Sequence, residues 1–86
     1  MKYSKEILKF RTHFERRTGV GGMGVVEDKH FPHWKRIELA SLSGYELIKI
    51  GEYIHLYLGG RGFLTEWGGK MTLTVDVDVL RNKKIV

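Results

Sequence analysis

The start of the chain carries apolar side chains at helical spacing. They recur every three or four positions, which places them on one face of a helix: Tyr3, Ile7, Phe10 and Phe14. Ser4 stands where a helix N-cap is expected, and Gly19 follows where many helices end in a left-handed residue. The pattern predicts one amphipathic helix over residues 4–18.

The opposite face of this predicted helix is basic. Its members are Lys2, Lys5, Lys9 and Arg16. Lysines opposite an apolar stripe usually serve only to keep a helix solvated, but they can also lie against phosphate groups. The pattern leaves both interpretations open.

The segment GVGGMG, residues 19–24, matches the letters of the dinucleotide-binding loop G-x-G-x-x-G. That loop follows a strand and opens a helix whose N-terminus receives the pyrophosphate. Here the order is reversed, because a predicted helix precedes the glycines and the strand-like Val25 and Val26 follow them. We therefore predict no cofactor, and interpret residues 19–24 as a helix stop followed by a flexible linker.

After the linker the apolar period changes to two. The runs 36–42 and 45–50 flank Ser43-Gly44, which predicts a β-hairpin. Its expected pairs are Ile37 with Ile50, Glu38 with Lys49, and Leu39 with Ile48. A short helix opened by Pro32 and stopped by Gly44 is the alternative for residues 33–42. We favour the strand because the hairpin register pairs opposite charges on one side and aliphatic residues on the other.

Three more strands are predicted over residues 53–58, 63–67 and 70–79, each separated from the next by glycines. The basic tail 81–86 is expected to fray. The fold class is therefore α+β, with one N-terminal amphipathic helix packed on an antiparallel β-meander of four or five strands over residues 36–80. A single helix covers one face of that sheet. The other face is then open, covered by a second copy, or closed by curling of the sheet into a partial barrel.

Length and composition narrow the class of protein. The chain has 86 residues, of which 42% are hydrophobic and 29% charged, as expected for one small globular domain. It has no cysteine, which excludes a disulfide framework and thiol catalysis. No apolar run is long enough to cross a membrane, and the N-terminus lacks the apolar stretch of a signal peptide, so we expect a cytoplasmic protein.

The net charge of +5 and the pI of about 9.6 favour a polyanionic partner, which could be nucleic acid, an acidic protein or an anionic membrane surface. Of these we predict single-stranded nucleic acid or an acidic protein, and no membrane. On the predicted meander, three tyrosines share one exposed face with basic side chains. Bases stack on aromatic rings and cations hold phosphates, so this face is a candidate for binding single-stranded nucleic acid. The candidate residues, with the basic face of the helix included, are Lys5, Lys9, Arg16, Arg36, Tyr45, Lys49, Tyr53, His55, Tyr57 and Arg61.

Two other groups of residues have the chemistry of a metal or catalytic site. His30 and His33 follow Glu27 and Asp28, and His13 and His55 are further possible ligands, but nothing in their spacing shows that the side chains converge. Asp76 and Asp78 share one side of a predicted strand, as the carboxylates of a Mg²⁺ site or an acid–base pair would, although alternating acids usually keep a strand soluble. We predict neither a metal nor an enzyme.

Two functions follow from these patterns. The first is a small, basic, non-catalytic nucleic-acid-binding protein that uses the aromatic and basic sheet face. The second is a protein–protein interaction module, such as an accessory or inhibitor protein of a virus or mobile element, or a homodimer. It would use the same tyrosines, with Trp34 and Trp67, as interface anchors.

Overall fold

The computed structural model of the protein describes residues 3–27, 29–39, 42–67 and 70–86. It begins with helix α1, Lys5–Thr18. The Ser4 hydroxyl accepts a hydrogen bond from the Ile7 backbone N–H, and Gly19 ends the helix at φ +73°, where its N–H donates to the Glu15 carbonyl. The predicted helix and its glycine stop are confirmed, and Lys2 lies outside the described residues.

Four strands form one antiparallel sheet in the order β1-β2-β4-β3. They are β1, Gly22–Glu27; β2, Trp34–Leu39; β3, Gly62–Trp67; and β4, Lys70–Asp76. Within the described ranges β1 pairs only with β2 and β3 only with β4, so the sheet is open and is not curled into a barrel. The α+β class, the N-terminal helix and the antiparallel sheet are confirmed.

The glycine linker is shorter than predicted. Gly22 to Gly24 already belong to β1, where the register with β2 shifts between these two glycines. Glycines in a strand often mark such a bulge, because one extra residue must be accommodated there. Only the stretch from Gly19 to Gly21 connects α1 to the sheet.

The predicted hairpin around Ser43-Gly44 is wrong, because residues 44–57 form a helix. Helix α2 runs over Gly44–Tyr57. Ser43 accepts a hydrogen bond from the Glu46 N–H, and the Glu46 carboxylate accepts one from the Ser43 N–H, which is a complete capping box. The predicted strands 45–50 and 53–58 both lie in α2 and its C-cap.

The strand prediction failed here because residues 45–58 are a run in which nine of fourteen side chains are apolar. Such a run satisfies a period of two and a period of 3.6 together. The side chains that α2 turns towards the core follow the helical period: Ile50, Tyr53, Ile54 and Tyr57. Strand β2 then pairs with β4, with Ile37 opposite Leu73, instead of with residues 48–50.

The last predicted strand ends early, at Asp76. Helix α3, Val77–Asn82, follows at once, with the Asp76 carboxylate accepting from the Asp78 N–H at 2.8 Å. The tail is not frayed as predicted. The Ile85 N–H donates to the Leu80 carbonyl at 2.9 Å, and Ile85 and Val86 pack against the core.

Both long helices cover the same face of the sheet. The core is formed by buried side chains from α1, α2, α3 and the inner face of the sheet, chiefly Ile7, Phe10, Phe14, Ile37, Ile50, Tyr53, Leu73, Val75 and Leu80. Side chains that alternate with these along the strands point outwards, and no described element covers them. None of the helices in the described parts of the chain is both long and apolar enough to cross a membrane.

Candidate nucleic-acid interface

The predicted aromatic face does not exist as a sheet face. Tyr45, Lys49, Tyr53, His55 and Tyr57 all lie on α2. A helix turns successive residues through about 100°, so residues that a strand would align are distributed around its circumference. Tyr45 and His55 are exposed, Lys49 and Tyr57 are half-buried, and Tyr53 is buried. The three tyrosines therefore cannot form one stacking platform.

Tyr53 joins α2 to α1 inside the domain. Its ring lies edge-on to Phe14, with 5.2 Å between centroids, and its hydroxyl oxygen lies 2.8 Å from Nδ1 of His13. Burial raises the pKa of Tyr53 far above the usual value, so the hydroxyl is protonated and can donate to Nδ1. Tyr53 is therefore a core residue and cannot stack on a base.

His13 lies at the border between this core contact and the surface. Burial lowers its pKa, and the positive charge of Arg17 lowers it further, which favours the neutral imidazole at neutral pH. When Nδ1 accepts from Tyr53, the proton of the neutral ring is on Nε2. Arg17 itself lies over the ring of Tyr57, 5.5 Å from its centroid.

The outward face of α1 carries the predicted basic residues Lys5, Lys9 and Arg16, and all three are exposed. None of them forms an ion pair with any residue in the described ranges. The two carboxylates of α1 are engaged elsewhere. Oε2 of Glu6 lies 2.8 Å from Nη2 of Arg81, and Oε1 of Glu15 lies 3.3 Å from Nε of Arg11.

A shallow groove of about 390 Å³ runs along this basic face. It is lined by Leu8, Lys9, Thr12, His13, Arg16, Arg17 and Ile85. Among the described residues, this lining contains three permanent cations and no carboxylate side chain. We define the α1 basic face as Lys5, Lys9, Arg16 and Arg17. Arg17 was missed by the sequence analysis, although its position four residues after His13 places both on one side of the helix.

The other two predicted cations lie on different surfaces. Arg36 lies on the outer face of the sheet, in a groove of about 420 Å³ that it shares with Glu38 and Lys70. Because the α1 basic face points away from the core on the helix side, Arg36 is on the opposite side of the domain. Arg61 is exposed in the loop before β3 and lines a third depression with Lys83.

The outer face of the sheet has its own aromatic residues. Trp34 and the exposed Phe63 meet edge-on, with 6.5 Å between their ring centroids. The alternation of β2 could have indicated this position for Trp34, since it stands two residues before Arg36. The side chain of Trp67, the second predicted tryptophan anchor, lies outside the described residues.

Three of the candidate metal and catalytic residues, Asp76, Asp78 and Glu27, make contacts within the fold. Asp76 caps α3. Oδ1 of Asp78 lies 3.8 Å from Nη1 of Arg81 in the next turn of that helix. Glu27 binds Lys35, with the two charged atoms 2.6 Å apart. Within the described ranges, which omit Asp28, no three acidic or histidine side chains converge on a common point.

The chain was compared with known proteins by sequence and by structure. A scan against protein-family models and searches of curated proteins and solved structures found no match to this chain. The surfaces of the domain are therefore the basis for inferring a function.

Proposed function

We propose that this protein binds nucleic acid through the α1 basic face, by contacts to phosphates. The observation that supports this most directly is the set of exposed cations Lys5, Lys9 and Arg16, which have no carboxylate partner among the described residues. Ion pairing would have cancelled their charge. Unpaired cations instead attract a polyanion and release its counterions.

The geometry of a helix suits this role. Lys5 and Arg16 are eleven residues apart, so the charges extend along roughly 16 Å of helix axis. A rigid row of charges follows a phosphate backbone but carries no pattern of donors and acceptors that reads bases. We expect binding that is largely independent of sequence.

Double-stranded nucleic acid is the expected form. Its charge density is high, about one charge per 1.7 Å of duplex axis. The preference for single strands rested on three aligned tyrosines, and the burial of Tyr53 removes that support. A preference for single strands would instead indicate the outer sheet face, where Trp34 and Phe63 are the aromatic residues.

The test is fluorescence anisotropy with labelled single-stranded RNA, single-stranded DNA and duplex DNA, at low and physiological salt. The double variant Lys9→Gln/Arg16→Gln removes two charges from the α1 basic face. The matched control Arg36→Gln/Lys70→Gln removes two charges from the opposite side of the domain.

We expect the first variant to weaken binding and to reduce the slope of log affinity against log salt by about two, because each phosphate that a cation neutralises contributes about 0.9 to that slope. The control should keep the wild-type slope. Equal weakening in both variants would show that the net charge acts without a defined face, and no binding of wild-type protein at low salt would overturn the proposal.

A protein partner is the second candidate function. It is favoured by the exposed apolar side chains on α2, Tyr45, Ile48 and Leu56.

A further inference from the structure

Helix α2 is apolar on two sides. Its inner side packs in the core, yet three large apolar residues on its outer side are exposed to solvent: Tyr45 by 68%, Ile48 by 61% and Leu56 by 67%. Scattered apolar residues are ordinary on a surface, but a helix that is apolar on both sides is typical of one that packs on both sides. None of the described elements covers this outer side.

The exposed residues form a continuous stripe with two charges inside it. The other members lie three, four, seven and eleven residues after Tyr45, which is the spacing of residues on one face of a helix. We call this set the α2 stripe: Tyr45, Ile48, Lys49, Glu52 and Leu56. Neither Lys49 nor Glu52 forms an ion pair within the described residues, and the Lys49 Nζ lies 5.5 Å from the Tyr45 ring centroid.

The stripe is complementary to itself. If two copies of α2 lie antiparallel with their two-fold axis beside positions 50 and 51, Tyr45 faces Leu56 of the second copy. Lys49 then faces Glu52 of the second copy, and the two-fold symmetry repeats both contacts. A parallel arrangement would place Lys49 beside Lys49, so the charges select the antiparallel one.

We propose that two copies of this chain associate through the α2 stripe as an antiparallel homodimer. Two reciprocal Lys49–Glu52 ion pairs lie beside the two-fold axis and set the register, and the apolar contacts of Tyr45, Ile48 and Leu56 lie on both sides of them. This interface is separate from the α1 basic face and does not depend on nucleic-acid binding. The dimer would carry two such basic faces.

The first test is sedimentation equilibrium of nuclease-treated protein over a range that reaches millimolar concentration. Leu56→Gln removes an apolar contact at the proposed interface. Phe63→Gln is the matched control, because Phe63 is exposed to a similar extent, 57%, on the outer sheet face. We expect the dimer dissociation constant to rise about tenfold or more for Leu56→Gln and to stay unchanged for Phe63→Gln.

The second test uses the charges. Lys49→Glu places four acids at the paired positions of a homodimer, and Glu52→Lys places four lysines there, so each variant alone should be monomeric at low ionic strength. Mixed one to one, the two variants restore both opposite-charge pairs and should form a heterodimer.

Recovery of the dimer on mixing supports positions 49 and 52 as facing positions of the interface. Loss of the dimer in each single variant supports the antiparallel register, because a parallel wild-type dimer would already have like charges at both positions. A mixture that stays monomeric while the wild type dimerises would overturn that register. Wild-type protein that is monomeric at millimolar concentration would overturn the homodimer itself. Neither outcome alters the anisotropy test, because the two surfaces share no residue.

Discussion

The Nζ atom of Lys35 lies 2.6 Å from Oε2 of Glu27, and the pair is the most buried ion pair in the described part of the chain. Lys35 is only 4% exposed, on the inner face of β2. The Glu27 carboxylate also accepts hydrogen bonds from the hydroxyl and the N–H of Ser4, at 2.6 and 2.8 Å. One carboxylate therefore joins β1, β2 and the start of α1.

Replacing this carboxylate should be costly. In Glu27→Gln the Lys35 ammonium keeps its buried position without a counter-charge, so we expect the free energy of unfolding to fall by about 3 kcal/mol. Urea unfolding followed by circular dichroism measures the change. The control is Glu38→Gln. It breaks an exposed ion pair in which the Lys70 Nζ lies 3.8 Å from Oε2 of Glu38, and it should lower the free energy of unfolding by less than about 1 kcal/mol. Similar destabilisation in both variants would contradict a special role for the buried pair.

The same carboxylate predicts a pH dependence. Burial raises the pKa of Glu27, but hydrogen bonds from Lys35 and Ser4, with the Lys35 charge, outweigh that effect and lower it below the usual 4.5. The unfolded state then binds the proton more readily than the folded state. The stabilisation is complete above pH 4.5 and is lost as the pH falls through the lower folded-state pKa.

Urea midpoints of wild type and Glu27→Gln, measured from neutral to strongly acidic pH, test this. The difference between the two proteins should narrow below pH 4.5. A difference that stays constant over the whole range would show that the carboxylate does not titrate in this way.

The capping box of α2 gives a prediction for the stability of the start of that helix. Ser43→Ala removes the acceptor for the Glu46 N–H, so we expect the free energy of unfolding to fall by about 1 kcal/mol. Ser43→Asp keeps an acceptor and should retain most of the stability. Thermal and urea unfolding report both. Equal losses in Ser43→Ala and Ser43→Asp would contradict the role of the Ser43 side chain as the N-cap acceptor.

Two glycines should respond in opposite directions to alanine. A Cβ at Gly62 would lie 3.0 Å from Leu58 and 3.1 Å from Ile54, so Gly62→Ala overpacks the contact between β3 and α2 and should destabilise by about 1–3 kcal/mol. A Cβ at Gly51 meets nothing within 4 Å. Gly51→Ala should stabilise the monomer by up to about 1 kcal/mol, because glycine is a poor helix former.

Urea unfolding at concentrations that keep the chain monomeric compares the two variants. A stabilised Gly62→Ala would mean that the α2–β3 contact has room that its side-chain distances do not show.

Local sequence patterns correctly predicted several elements of the fold. The spacing of Ile7, Phe10 and Phe14, bounded by Ser4 and Gly19, identified α1 and its ends. The alternation of β4 identified that strand, since neighbours in sequence point to opposite faces of a sheet. Each of these signals depends on contacts within a few residues.

Helix α2 is the element that the sequence pattern predicted wrongly. Its capping signature, Ser43 followed by Glu46, is present in the sequence, but the apolar-rich segment after it also satisfied a strand period. The expected hairpin would have needed β2 to pair with residues 48–50. In the fold β2 pairs with β4 instead, and this choice depends on residues more than thirty positions away in the chain.

Composition and short periodicities were sufficient to establish the class of the fold, the first helix, the basic character of its outer side and the absence of cysteine chemistry. Each of these depends only on residue types and on spacings of a few residues. Which residues share a surface emerged only when the chain packed. Tyr53 became a core residue bonded to His13, Arg36 was placed on the side opposite Lys9, and Tyr45 was left exposed on α2. The physical reason is that a surface formed by several elements is assembled by packing between distant segments, and local patterns along the chain do not encode that packing.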